Sequence, residues 1–352
     1  MHPDSYSNRN LFMMEYDIVN VLIVGLGSMG KRRARLIHSL YPEFTLYGVD
    51  TNEERRNQFR EMGWNSFPDL ESALDGTVGY DAALVCTAPL THGQIIHRLL
   101  SAGLPVFSEI NLVDDGYEEN LFLAKKNDLP LFLSSTMLYR KEIQRMKEAV
   151  EAFREEKGQP VNYIYHIGQY LPDWHPWETY QNFFVADRRT GGVREILGID
   201  LPWLVDTFGD AKVLHVENNR LSQLEITYPD AITVLLRHDS GTVGTLVVDV
   251  VSPKATRHFE CFGEGLHLLW DGSPKELSFF DPNTKTMQPI NAYEHFEQDA
   301  RYSDNIVETA YADELIDFFS LLAGDGKPLW SFEKDRAVID LMNQIDSLEE
   351  ST

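Results

Sequence analysis

The run Val21-Leu-Ile-Val-Gly-Leu-Gly-Ser-Met-Gly30 places glycines at 25, 27 and 30 directly behind a short apolar stretch. This is the G-x-G-x-x-G spacing, and each glycine has a physical task. Gly25 permits the tight turn off a strand, Gly27 lets backbone approach a pyrophosphate, and Gly30 lets the following helix pack close to that strand. Gly25, Gly27, Ser28, Met29 and Gly30 therefore form a loop and first helical turn whose free N–H groups and positive dipole end suit a diphosphate. A second apolar run, Leu46-Tyr-Gly-Val49, ends in Asp50, the acid expected about 20 residues on to accept from a ribose hydroxyl. The pattern predicts a dinucleotide site that prefers NAD(H), because Asp50 repels a 2′-phosphate. Arg55 and Arg56, one turn later, oppose that preference.

Other residues could do chemistry on a substrate. Trp174-His175-Pro176-Trp177 is a rigid aromatic segment of the kind that lines sugar sites, and also of the kind that plugs a core or an interface. Arg188 and Arg189 could hold a phosphate or carboxylate. Tyr139 and Lys141 follow the last expected strand of a parallel sheet, near the carboxyl ends where ligands bind. Lys141 is then a candidate cation or simply a solvated lysine. Cys86 and Cys261 are the 2 cysteines, both in apolar surroundings that suggest buried thiols. No Cys/His metal spacing, nucleophile elbow or P-loop is present, so no metal is expected.

These groups need elements to position them. Strand-like runs at Asn20–Val24, Thr45–Val49, Ala82–Thr87, Pro105–Ser108 and Leu129–Leu133 alternate with helical patterns, as in a parallel sheet with right-handed crossovers. After Arg140 a long amphipathic helix leads into β-type runs, among them Gln223–Tyr228 and Gly241–Val251, and the end is helical. The fold class expected is an α/β Rossmann domain plus an α+β domain with a mostly antiparallel, open-faced sheet. The boundaries expected are 15–138 for the first, 139–330 for the substrate and oligomerisation domain, and 331–352 for a C-terminal helix packing back on the Rossmann domain.

The chain has 352 residues and a formal net charge of −24. That acidity argues against nucleic acid or an anionic membrane as partner. Met1–Asn10 is polar, without a signal pattern, and a cytoplasmic location is expected.

The motifs together resemble the Gfo/Idh/MocA family of NAD(P)-dependent oxidoreductases, which act mostly on sugars and cyclitols. The resemblance rests on the glycine loop, on Val85-Cys-Thr-Ala-Pro89 with His92, and on Gly103-Leu-Pro-Val-Phe-Ser-Glu109. It extends to the Gly191-Gly192 helix start and the Tyr311–Phe319 segment. It implies that Thr87, Ala88, Pro89, His92 and Glu109 lie along the cofactor. It also implies that the open sheet makes a dimer or tetramer. Two departures stand out. The family's Glu-Lys-Pro reads Glu109-Ile110-Asn111, so its lysine is absent. Its Asp and His on the helix after the double glycine fall on Ile196 and Asp200.

Oxidising a secondary alcohol needs a group that takes the hydroxyl proton. Asp200 is the first candidate, with pairing to an arginine as the alternative. Glu195 is the second, about 140° away on a helical wheel; Lys141 and His175 follow. The expected function is an NAD(H)-dependent oxidoreductase acting on a sugar or nucleotide-sugar hydroxyl. The alternatives are transient oxidation serving epimerisation, elimination or hydrolysis, and a redox-inactive nucleotide-binding protein.

Overall fold

The computed structural model describes residues 20–175, 178–293, 296 and 306–349. In chain order the elements are β1 Asn20–Val24, α1 Ser28–Leu40, β2 Thr45–Val49, α2 Glu53–Glu61, β3 Asn65–Phe67, α3 Leu70–Ala73, β4 Ala82–Val85, α4 Pro89–Ser101, β5 Val106–Ser108, α5 Tyr117–Lys126 and β6 Leu131–Leu133. There follow α6 Lys141–Lys157, β7 Asn162–Gly168, α7 Gly192–Phe208, β8 Ala211–Asn219, β9 Ala231–His238, β10 Val243–Asp249, β11 Thr256–Gly263, β12 Leu266–Trp270, β13 Leu277–Asp281, β14 Thr286–Pro289, α8 Glu308–Leu322 and α9 Phe332–Glu349. They form two compact units. The first takes the chain to Ser135 plus Tyr311–Phe332, and the second takes Thr136–Ala310 plus the chain from Glu333.

The first unit carries a six-stranded parallel sheet in the order β3-β2-β1-β4-β5-β6. Strands β4 and β5 are buried at every position, as sheets covered on both faces must be. The strand order reverses between β1 and β4, where Val24 lies beside Val85. The loops leaving those two strands, 25–27 and 86–88, therefore flank the crevice where such sheets bind ligands. Helix α2 starts cleanly because Asn52 Oδ1 accepts from the N–H groups of Glu54 and Arg55, with Glu53 and Glu54 in its positive first turn.

The second unit holds an eight-stranded sheet, β14-β13-β12-β11-β7-β10-β9-β8, antiparallel except for the β7–β10 pair. The alternation along β7 buries Tyr163, Tyr165 and Ile167 on one face. Tyr165 packs there against Trp203 of α7 and Phe259 of β11. The other face carries exposed Ile164, Phe262 and Phe280. Between them lie three imidazole–carboxylate pairs, His166–Asp249, His258–Asp271 and His267–Glu260. The open face of the sheet is thus a mixed one, apolar and charged.

Three expectations need correction. Gln223–Tyr228 is not a strand. Arg220 donates to the carbonyls of Leu224, Ile226 and Tyr228, and Asp230 accepts from the N–H groups of Leu221 and Ser222, so side chains take the backbone groups that a neighbouring strand would pair. Strands β3, β13 and β14 were not expected, being short and weakly patterned. Finally, the segment that returns to the Rossmann unit is Tyr311–Phe332, while the chain from Glu333 groups with the second unit. The cause is aromatic. Phe318 of α8 meets Phe107 and Phe132, and Phe319 meets Tyr41 and Phe44. Helix α9 is instead tied to α7 through Arg194, which pairs with Asp346 and donates to Asn343.

Candidate functional site

In the first unit the glycine loop has the geometry its spacing demands. Gly25 has φ +94°, and a Cβ there would lie 2.6 Å from the Cys86 carbonyl oxygen. A Cβ on Gly30 would lie 1.9 Å from the Gly25 oxygen, so only glycine lets α1 start this close to β1. The space above Gly27 is open: a Cβ there would meet only Arg55 Nη1, at 3.9 Å. Gly27 is the N-cap of α1 and supplies no side-chain cap. Ser28 and Met29 form the first turn and are partly exposed. A backbone cradle that excludes any larger residue, with open space over Gly27 and the positive end of α1 behind it, fits a dinucleotide diphosphate.

Asp50 closes the far side. Its Oδ2 accepts from Leu26 N–H at 2.8 Å and its Oδ1 from Asn52 N–H at 2.8 Å. The carboxylate is 8% exposed, and Arg55 Nη1 lies 3.6 Å from Oδ2. Each oxygen keeps acceptor capacity for ribose hydroxyls.

The loop after β4 is built around His92. Its Nε2 sits 2.9 Å from the Thr87 carbonyl oxygen and its Nδ1 2.8 Å from the Asn111 side chain. A carbonyl can only accept, so Nε2 carries the proton. Burial, against the pull of these hydrogen bonds, lowers the imidazole pKa and keeps it neutral. Nδ1 must then accept, which requires the Asn111 amide to present its NH₂. His92 thus locks the loop Thr87-Ala88-Pro89 onto the chain after β5. Ala88 is exposed and is the N-cap of α4, with Pro89 buried at its first position.

Glu109 is held by a residue that sequence reasoning missed. Arg33, fully buried in α1, pairs with Glu109 Oε1 at 2.7 Å and Glu314 Oε2 at 2.7 Å. It also donates to Ser134 Oγ and the Tyr311 carbonyl, and stacks on Phe107. Burial disfavours its charge, but the two carboxylates outweigh burial and hold its pKa above the ordinary value. Glu109 therefore serves first as the anchor of this network. In the sequence Arg33 is one member of Lys31-Arg-Arg33, and nothing local distinguishes it.

In the second unit, Asp200 is buried and its carboxylate is engaged. Its Oδ1 accepts from Tyr165 OH at 2.7 Å and Trp203 Nε1 at 3.2 Å, and its Oδ2 pairs with Arg257 Nη2 at 2.9 Å. This is the arginine-paired alternative, in place of an acid poised to exchange a proton. Glu195, five residues earlier, is different. Its Oε2 is buried without a hydrogen-bond partner, and burial raises its pKa from 4.5 to about 8. It lies in the opening turns of α7, where the double glycine admits large neighbours. A Cβ on Gly191 would lie 2.6 Å from the Tyr228 ring, and one on Gly192 would lie 3.3 Å from Trp174 Cη2. Tyr228 and Trp174 thus pack against the helix start, within four residues of Glu195 in the chain.

The remaining candidates are dispersed. His175 packs at a tilt against Phe183, ring centroids 4.4 Å apart, and burial lowers its pKa. Lys141 donates from Nζ to Gln144 Oε1, and its backbone N–H donates to Tyr293 OH. Tyr139 is buried, while Arg188 is exposed and donates to the Thr227 carbonyl. Trp177 lies outside the described residues. Among the described residues no group of three or more His, Cys, Asp or Glu side chains could hold a metal ion.

Residues 19–133 match the model of the Gfo/Idh/MocA family, described as an oxidoreductase family with an NAD-binding Rossmann fold. None of the curated proteins is similar enough in sequence to match. Solved structures share the fold along nearly the whole chain. An oxidoreductase from Agrobacterium radiobacter, in complex with NAD+, L-tartaric acid and magnesium, is 15% identical with a TM-score of 0.77, over 95% of this chain and 97% of that one. The WlbA dehydrogenase from Chromobacterium violaceum, with NADH and UDP-GlcNAcA, is 14% identical with a TM-score of 0.74, over 95% and 94%. UDP-N-acetylglucosamine 3-dehydrogenase GnnA from Acidithiobacillus ferrooxidans is 16% identical with a TM-score of 0.70, over 94% and 97%. The glycine cradle, the acid at position 50 and the match over residues 19–133 identify the first unit as the NAD-binding Rossmann domain of the Gfo/Idh/MocA oxidoreductase family.

Proposed function

We propose that the chain is an NAD(H)-dependent oxidoreductase acting on a CH–OH group of a sugar or nucleotide sugar. The observation that carries the reading is the NAD-binding cradle at Gly25–Gly30 with Asp50 opposite. The substrate class is supported by two structural neighbours, one named as a UDP-N-acetylglucosamine dehydrogenase and one bound to UDP-GlcNAcA. The aromatic segment at Trp174 supports it as well, because sugar rings present apolar faces to such side chains.

NAD supplies the hydride acceptor. The protein must supply a place for the hydroxyl proton, and Ile110 cannot. Glu195 is the group we assign to that task. It is unpaired at Oε2, and its pKa of about 8 lies where general acid–base catalysis is most effective. Asp200 is assigned a structural role, paired with Arg257 and accepting from Tyr165 and Trp203. Lys141 and His175 are the reserve candidates. Trp174 and Arg188 are assigned to substrate, together with Tyr139 and Trp177.

A homo-oligomer through the exposed face of the eight-stranded sheet follows from Ile164, Phe262 and Phe280, which a second copy would cover. Among the described residues no helix is long and apolar enough to cross a membrane. A cytoplasmic location is the setting we propose.

The test is NADH formation from NAD+ over a panel of free sugars and UDP-sugars. Turnover of one of them establishes the reaction. Product formed without net NADH points to transient oxidation, and NAD binding without any product points to a redox-inactive protein.

A further inference from the structure

The ribose subsite holds a feature that an acid at position 50 alone would not produce. Arg55 Nη1 lies 3.6 Å from Asp50 Oδ2 and is also the atom nearest to the open space above Gly27. Its side chain is 44% exposed, so it can turn. Arg56 is fixed. Its Nη1 donates to the carbonyls of Asp50 and Thr51, at 2.7 and 2.9 Å, and pins the turn from which Arg55 projects. Asp50 itself cannot withdraw, because two backbone N–H groups hold its oxygens.

The two side chains make opposite demands. A fixed carboxylate accepts from a free 2′-OH and repels a 2′-phosphate, whereas an arginine beside it accommodates the phosphate. Here both groups face one position, in ion-pair contact. With a free ribose, Arg55 stays on Asp50 and offsets part of its charge. With a phosphorylated ribose, the guanidinium turns from the carboxylate to the phosphate, which it can meet with two parallel N–H donors. We propose that Arg55 is the residue that sets dinucleotide choice, and that by pairing with Asp50 it lets the chain bind NADP(H) as well as NAD(H), within about tenfold in affinity.

The inference rests on the NAD-binding reading of the first unit, and the experiment separates the two. Titration calorimetry with NAD+ and with NADP+ is run on the full chain, on Arg55→Ala, on Arg55→Lys and on Asp50→Asn. The parent is expected to bind both, with affinities within about tenfold. Arg55→Ala should lose about tenfold in NADP+ affinity with little change for NAD+, as expected for one charged contact. Arg55→Lys should recover part of that loss. Asp50→Asn should weaken NAD+ and tip the choice toward NADP+. Because Arg55 is solvent-exposed at the start of α2, its removal spares the core. If the parent binds NAD+ but not NADP+, or if Arg55→Ala leaves the ratio of the two affinities unchanged, the inference is overturned while the NAD reading stands. If neither dinucleotide binds, both fall.

Discussion

Glu195→Gln should make the protein more stable than the parent at alkaline pH and leave it nearly unchanged in acid. The reason is the direction of the shift. Burial raises the Glu195 pKa from 4.5 to about 8, with Oε2 unpartnered. Between those values the folded chain keeps a proton that the unfolded chain has released. The unfolded state binds fewer protons there, so stability falls as pH rises through the window and levels off above about pH 8. At roughly 1.4 kcal/mol per pH unit, the gap from 4.5 to about 8 caps the loss at about 5 kcal/mol. Glutamine has nearly the same shape and no proton to lose, so the variant escapes the penalty. Urea unfolding of both proteins at about pH 5, 7 and 9 reads it out. The midpoint difference should open as pH rises, with unchanged slope, because surface exposed on unfolding sets the slope. All other titrating groups are common to both proteins and cancel. A difference that stays flat from about pH 5 to pH 9 would show an ordinary carboxyl at Glu195 and would remove it from the proposed chemistry.

Other predictions concern the remaining parts of the site. Gly30→Ala places a Cβ 1.9 Å from the Gly25 oxygen, so the loop must shift and NAD+ affinity should fall by at least tenfold by calorimetry. Asp200→Asn should cost about 1.5–3 kcal/mol in urea unfolding, because it leaves the part-buried Arg257 beside a neutral partner. Its turnover should nonetheless stay within a few-fold of the parent, while Glu195→Gln loses about 10²–10⁴-fold. Light scattering at micromolar concentration should find a dimer or tetramer. Ile164→Asp, on the exposed sheet face, should shift it toward monomer.

The cofactor half was legible because its constraints are local. A positive φ at Gly25 and a close approach at Gly30 can be met only by glycine, so backbone geometry writes itself into residue type. Strand β1 falls on the expected residues for a related reason, since a strand buried in a parallel sheet reads as a nearly unbroken apolar run. The substrate half was less legible because its constraints act at a distance. Asp200 is visible as an acid on a helix, but Arg257, its partner, arrives on β11 across a sheet whose register no local pattern specifies. Glu195 was ranked below Asp200 for the same reason. What distinguishes it is a missing partner, which only the fold can reveal. Arg33 shows the limit from the other side, being a residue that reads as surface charge and lies at the centre of the Rossmann unit.

The return of Tyr311–Phe332 to the first unit bears on how the chain is made. Arg33 and Glu314, which share a buried ion pair, are 281 positions apart. At about 5–20 residues per second, a ribosome takes on the order of 15–60 s to synthesise the stretch between them. Throughout that interval the nascent Rossmann sheet lacks the helix that supplies Phe318 and Phe319, and Arg33 lacks one of its two counter-charges. The nucleotide-binding unit therefore begins first and finishes almost last, with the second unit emerging in between. Aromatic surface exposed for that long favours self-association of the unfinished chain, and a cleavage or stop before Tyr311 would leave both units incomplete at once.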